Sequence, residues 1–232
     1  IGAMLNDIDP YTEYIPAKDQ DSFLSMTSGE YGGIGSYITE RNGKVYISEP
    51  FENSPAHKAG LRAGDHIVKI NNDTTAGWTS SKVSENLKGQ AGTSLRIEVK
   101  RPYVVDSMLT FDIVREKIQV SAVPYYGVIK DNIGYIYLTS FTETAAKEVR
   151  DALIDLKKDP RVKSIILDLR GNGGGLLESA VKIVGLFVPK NTLVVSSKGN
   201  TEASYEEYRT YNEPIDTEIP IIVMINSSFA SA

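Results

Sequence analysis

The sequence predicts an α/β protein in which a β-rich module precedes an α/β layer. Two textures carry this reading. Residues 31–115 alternate apolar and polar side chains in the manner of strands, whereas 116–232 read as strand, helix and strand in turn. Residues 1–30 are a short helical and loop lead-in, too small to own a core.

In the module, "GSYITE", "KVYISEP", "DHIVKINN", "LRIEVKRP" and "LTFDIVRE" each place Ile, Val, Tyr or Phe at near period-two spacing. Turn residues separate them: Asn42-Gly43, Gly64-Asp65, Asn71-Asn72 and Gly92-Thr93. Two short helices are expected between strands, "SPAHKAG" and "SSKVSENLKG". In the second, Ser80 or Ser81 is the expected N-cap, Val83 and Leu87 share one face, and Gly89 is the stop.

The remainder changes period. "IGYIYLTSF" is a strand, and 142–160 form an amphipathic helix with Ala146, Val149, Ala152, Leu153 and Leu156 on one face, closed by Pro160. "VKSIILDLR" is apolar on both faces, as buried parallel strands are. There follow "GNGGG", the helix "LLESAVKIVGLFV", the strand "TLVVSS", a Tyr/Glu-rich loop over 198–219, and a strand at 221–225. This alternation implies a largely parallel sheet.

Composition narrows the function. With 232 residues, 41% hydrophobic and 24% charged, the chain has a globular make-up. A net charge of −5 argues against a nucleic-acid surface. Zero cysteines exclude disulfides, thiolate metal sites and a cysteine nucleophile. No apolar run approaches the ~20 residues that span a bilayer, and the first residues are not a signal peptide. The only histidines, His57 and His66, lie in the module and form no metal-binding pair, so they are expected as surface or packing residues.

Three stretches could carry chemistry. "DLRGNGGGLLES" puts glycines between a buried strand and a helix, where backbone N–H groups bind anions or a developing oxyanion. It lacks the ending of a phosphate loop and departs from a dinucleotide fingerprint at Leu176. A tight turn that merely permits close packing reads equally well. In "NSSFASA", Ser227, Ser228 and Ser231 raise the question of a nucleophile, although a serine after a strand is ordinarily a turn or cap residue. With no histidine in 116–232, any serine base must be a lysine held neutral by burial, or a group from elsewhere. "YGGIG" opposite the helix at 80–88 would let an extended peptide add to a strand edge while N–H groups capture its carboxylate; a glycine-rich hairpin entry is the plainer reading.

Together these pieces resemble the C-terminal processing (tail-specific) serine peptidases with an embedded PDZ domain. "GGIG" and "SPAHKAGLRAGDHIVKINN" resemble that PDZ domain, "LNDIDPYTEYI" its lead-in, and "IGYIYLTSF" and "IILDLRGNGGG" two strands of the catalytic layer, a crotonase-like α/β spiral. The resemblance implies domains at 1–30, 31–115 (PDZ) and 116–232 (peptidase core, with its C-terminal part missing).

Aligned with "Asn-x-x-Ser-Ala-Ser-Ala-Ser-Glu", "NSSFASA" implies Ser231 as nucleophile, with Phe229 departing from the usual small residue. The implied oxyanion hole is the backbone N–H of Gly174 (Gly173 and Gly175 being neighbours) with that of Ala232. The implied substrate C-terminus site is Gly33, Ile34 and Gly35, with Val83 and Leu87 lining the side-chain pocket. The family's lysine base lies some two dozen residues past the nucleophile, outside this sequence, so these residues alone are expected to be inactive. No cofactor or metal is implied. Expected partners are proteins with free, apolar C-termini; homo-oligomers are compatible, and nucleic acid is not expected. The resemblance implies export to a bacterial periplasm or envelope. A non-catalytic PDZ scaffold with a dead peptidase-like layer is the alternative, and a nucleotide- or acyl-binding enzyme using the glycine turn ranks below both.

Overall fold

The computed structural model describes residues 5, 14–16, 25, 27–104, 107–199 and 205–227. The chain divides into one unit spanning Glu30–Gln119 and a second made of the segments on either side of it.

The first unit is mostly β. Strands β1 (Glu30–Gly33), β2 (Ser36–Arg41) and β3 (Lys44–Pro50) lead into helix α1 (Pro55–Ala59) and strands β4 (His66–Ile70) and β5 (Asp73–Thr74). Helix α2 (Ser80–Leu87) and strands β6 (Ser94–Lys100), β7 (Met108–Val114) and β8 (Glu116–Gln119) complete it. The main sheet runs β2-β3-β4-β6-β7 with β5 on β4, and β1 pairs antiparallel with β8. That last pairing brings the two ends of the unit side by side, Glu30 opposite Gln119.

Alternation does what the pattern predicts. In β6, Leu95, Ile97 and Val99 point inward while Arg96 and Glu98 face outward. They meet Ile47, Ile67 and Val83, all fully buried. Each such side chain contributes about 1.5–3 kcal/mol when buried. Helix α2 is capped by Thr79, whose side chain accepts from the Lys82 N–H, rather than by Ser80 or Ser81. The helix starts one residue earlier than its serines suggest, because Thr79 holds the extended cap conformation.

A charged group is buried in this unit. Asp65, with no exposed surface, receives the Arg101 guanidinium through two 2.7 Å bonds and the Arg62 N–H at 2.8 Å. Arg101 also donates to the Gly60 carbonyl at 2.8 Å, tying the end of α1 to β6.

In the second unit, strands β9 (Tyr125–Ile129) and β10 (Ile133–Tyr137) precede helix α3 (Ala145–Leu156) and strand β11 (Ser164–Asp168). Helix α4 (Leu177–Val184), strands β12 (Leu193–Lys198) and β13 (Tyr205–Arg209), and β14 (Ile221–Met224) follow. The sheet order is β14-β11-β10-β9, with β10, β11 and β14 parallel and β9 antiparallel at the edge. Ala145, Val149, Ala152, Leu153 and Leu156 of α3 pack with Ile136, Leu138, Ile165 and Leu167 in one core. Ala146 is only partly buried; Ala145 takes the place expected for it. Glu148 on the same helix accepts from Ser121 Oγ (2.6 Å), Thr144 Oγ1 (2.7 Å) and the Val123 N–H (3.0 Å), fastening the segment before β9.

Two sequence expectations change. "TLVVSS" does not join the parallel sheet: β12 pairs antiparallel with β13, so the loop expected over 198–219 contains a strand. The edge strand β9 had no counterpart in the periodicity, because most of its residues are exposed and no apolar face alternates along it. Among the described residues, no helix is long and apolar enough to cross a membrane.

Removing the partner of a buried carboxylate costs more than removing a surface charge. Arg101→Ala is expected to destabilise the first unit by about 3–5 kcal/mol, read as a fall in its urea midpoint. Arg96→Ala, which loses an exposed, solvent-screened pair with Asp112, is expected to leave that midpoint nearly unchanged.

Candidate functional site

The first candidate site is a cleft between β2 and α2 in the first unit. Strand β2 is the edge of its sheet, so among the described residues no strand lies beside its outer backbone groups. Tyr31, Ile34, Gly35 and Ile38 line one side of the cleft; Leu87 and Lys88 line the other. Among the described residues, no acceptor within the molecule engages the N–H of Ile34 or Gly35, while their carbonyls accept from Ala56 and Phe51. Two donors are thus left at the head of an open strand edge. Gly33 lies in β1 opposite Glu116. Leu87 lines the cleft, but Val83, expected beside it, is fully buried in the core behind. The helical period puts both on one face, and that face points partly into the core. His66 packs its ring on Tyr46, at 5.1 Å, and is displaced toward the neutral form by burial and by Lys44 and Lys100.

The second site is the turn between β11 and α4. Asp168 ends β11 and is 1% exposed. It receives Arg170 Nε and Nη2 (3.0 and 2.7 Å) and the Tyr135 hydroxyl (2.6 Å). The Arg170 bonds, opposed by burial and helped by Tyr135, hold its carboxyl at about 2. Burial and the Asp168 bond keep the Tyr135 phenol protonated well above its ordinary range.

Asn172 organises the glycines that follow. It has no exposed surface, donates through Nδ2 to the Leu138 carbonyl (3.0 Å), and accepts the Gly174 N–H at Oδ1 (2.8 Å). The turn is also laced to the end of the neighbouring strand: Phe141 N–H donates to Gly174 O and Leu176 N–H to Phe141 O. Gly175 sits at φ +142°, where a Cβ would lie 2.5 Å from the Phe141 carbonyl oxygen, so only glycine fits.

This geometry alters one expectation. The Gly174 N–H, named as an oxyanion donor, already has Asn172 as its acceptor. Among the described residues, the N–H groups of its neighbours Gly173 and Gly175 have none. The asparagine was in the sequence, but nothing in its spacing says which amide it takes.

The segment after β14 runs beside this turn. Leu169 N–H donates to Met224 O (2.8 Å), and Gly171 N–H donates to Asn226 Oδ1 (3.0 Å). Parallel pairing of β11 and β14 therefore brings the glycine turn and the start of "NSSFASA" to the same end of the sheet. Ser231 and Ala232 lie outside the described residues.

Two measurements probe this site. Asn172→Ala orphans the Leu138 carbonyl and the Gly174 amide and is expected to cost about 1–3 kcal/mol per group, measured by thermal and urea unfolding. Asp168 provides a pH test. Its folded pKa lies below the ordinary 3.8, so its stabilisation is complete above that value and is lost as pH falls toward about 2. Acid titration of stability is expected to show a steeper fall in that window than Asp168→Asn does.

Known proteins fit this arrangement. Peptidase family S41 matches residues 132–232, and the PDZ domain family matches residues 46–101. A carboxy-terminal-processing protease of Bartonella bacilliformis is 35% identical over 100% of this chain and 53% of its own length. The carboxy-terminal processing protease CtpA of Bacillus subtilis is 37% identical over 97% of this chain and 47% of its own. The chain spans about half the length of these curated relatives. The crystal structure of a putative S41 protease from Bacteroides fragilis superposes with a TM-score of 0.54 at 19% identity, over 100% of this chain and 65% of that one, a likeness of fold. The chain thus joins a segment that matches the PDZ domain family to one that matches peptidase family S41, and along its whole length it is similar to carboxy-terminal processing proteases.

Proposed function

We propose that the longer polypeptide carrying this chain is a serine endopeptidase that reads the C-terminal tail of protein substrates through the first unit and cleaves them in the second. The carrying observation is the match of residues 132–232 to peptidase family S41 combined with the glycine turn, held beside the strand end that leads into "NSSFASA". Ser231 is the nucleophile in this reading. Its Oγ attacks a peptide carbonyl, and a lysine supplied by the longer polypeptide takes the hydroxyl proton and passes it to the leaving amine. Water then resolves the acyl-enzyme.

The oxyanion formed in that attack needs donors that are unpaired in the resting protein. In this reading the donors are the Ala232 N–H and an N–H of the glycine turn. Gly174 serves only if its bond to Asn172 gives way, whereas Gly173 and Gly175 offer amides without that cost. Losing one such donor typically costs about 2.7–4 kcal/mol of transition-state stabilisation.

Substrate tails add as a strand along β2, with the terminal carboxylate at the Ile34 and Gly35 amides and the last side chain against Ile38 and Leu87. Apolar C-termini suit those walls. An extracytoplasmic location belongs to the same reading; it rests on the resemblance and is compatible with a cysteine-free sequence. In the full-length protein, Ser231→Ala is expected to abolish cleavage of an unstructured protein ending in apolar residues, followed by gel or mass spectrometry. Undiminished turnover would remove Ser231 from the mechanism.

A further inference from the structure

A terminal carboxylate carries a full charge, and two neutral amides satisfy only part of it. A cation stands beside them. Lys88 caps the C-terminus of α2, its N–H donating to Ser84 O at 2.9 Å, and the next amide, Gly89 N–H, donates to Gly32 O at 3.0 Å. The two segments meet so closely that a Cβ on Gly33 would lie 3.8 Å from Lys88 Cα, and one on Gly32 would lie 2.1 Å from Gly89 O. Gly32 and Gly33 of "GGIG" therefore admit residues 88–89, which anchors Lys88 in the cleft that Ile34 and Gly35 also line.

The side chain is placed to match. Lys88 lines the cleft, and its Nζ sits 5.1 Å from the centroid of the Tyr31 ring, another cleft wall. Three other lysines of this unit are already paired, Lys58 with Glu116, Lys69 with Glu98 and Lys117 with Glu30, and Lys88 is the lysine that lines the cleft. Among the described residues, no carboxylate pairs with Lys88. Arg115 adds a guanidinium at the same helix end, but its donors are spent on the carbonyls of Asn86 and Leu87 and on Thr93 Oγ1. It shapes the helix exit, which leaves Lys88 as the cation that faces the cleft.

We propose that Lys88 is a second anchor for the substrate's C-terminus, its ammonium pairing with the terminal carboxylate while the Tyr31 ring steers it there. This rests on reading the cleft as a C-terminus receptor. A charge-assisted bond of this kind is stronger than a neutral one and is screened by salt. It discriminates a free carboxylate from a carboxamide, and so selects true chain ends over internal segments.

The test uses the 232-residue chain and fluorescein-labelled peptides ending in Ala, Val or Leu, each as free acid and as C-terminal amide, read by anisotropy at low and high salt. The expected result is that Lys88→Gln weakens the free-acid peptides about five-fold at low salt, the upper range for an exposed ion pair. The amides and the high-salt affinities are expected to stay unchanged, and Lys88→Arg to retain most of the binding. Lys88 is exposed, so neither variant threatens the fold. If the wild-type chain prefers acids to amides and Lys88→Gln keeps the full preference, Lys88 is not an anchor and the receptor reading stands. Equal loss for acids and amides also overturns the anchor. If the wild-type chain binds no peptide of the series, or shows no preference for the free acid, the receptor reading itself fails.

Discussion

The position of β11, parallel to both β10 and β14, governs the chemistry available to the second unit. Parallel register sends the C-terminal ends of all three strands to one edge of the sheet. Three loops then converge: the segment after β10 that contains Phe141, the Asp168–Gly175 turn, and the stretch beginning at Asn226. Their contacts are mostly backbone to backbone or backbone to amide side chain. A polar site at a sheet edge has to be built this way, because each buried peptide group there needs a partner. Asn172 supplies two of those partners at once, and Asp168 holds Arg170 and Tyr135 beneath them.

The first unit follows a related principle with the opposite outcome. Here the informative groups are those that have no partner among the described residues: the outer edge of β2 and the amides of Ile34 and Gly35. An open edge invites unwanted pairing unless something restricts it. Helix α2 does so by standing across from β2, leaving a cleft walled by Ile38 and Leu87. The Asp65–Arg101 pair keeps α1 and β6 in place behind that cleft. The proposed tail reading and peptide cleavage thus call on surfaces of different kinds, one an edge open to a strand, the other a donor-rich turn.

Much of this was legible in the residues, and the exceptions have physical causes. Leu95, Ile97 and Val99 announced β6 because one face of that strand is buried and the other wet. Strand β9 made no such announcement, having little buried surface, and β13, "YEEYR", is strand only because β12 pairs with it. Thr79 outcompeted two serines as a cap through backbone conformation, which composition does not encode. In the candidate sites, "GNGGG" was visible as a donor-rich turn. The capture of the Gly174 amide by Asn172, and the retreat of Val83 into the core, depend on neighbours far away in sequence.

Two facts required no coordinates. The lack of cysteine, and of histidine beyond residue 66, means that residues 116–232 cannot build a cysteine nucleophile or a serine–histidine pair among themselves. The switch from period two to strand–helix alternation divided the molecule into a β module and an α/β layer, because burial of one face imposes that period. Which backbone amides remain available was settled by packing alone. Every residue but proline carries an N–H, and only the three-dimensional arrangement of acceptors distinguishes Gly174, already bonded, from Ile34 and Gly35, which meet no acceptor among the described residues.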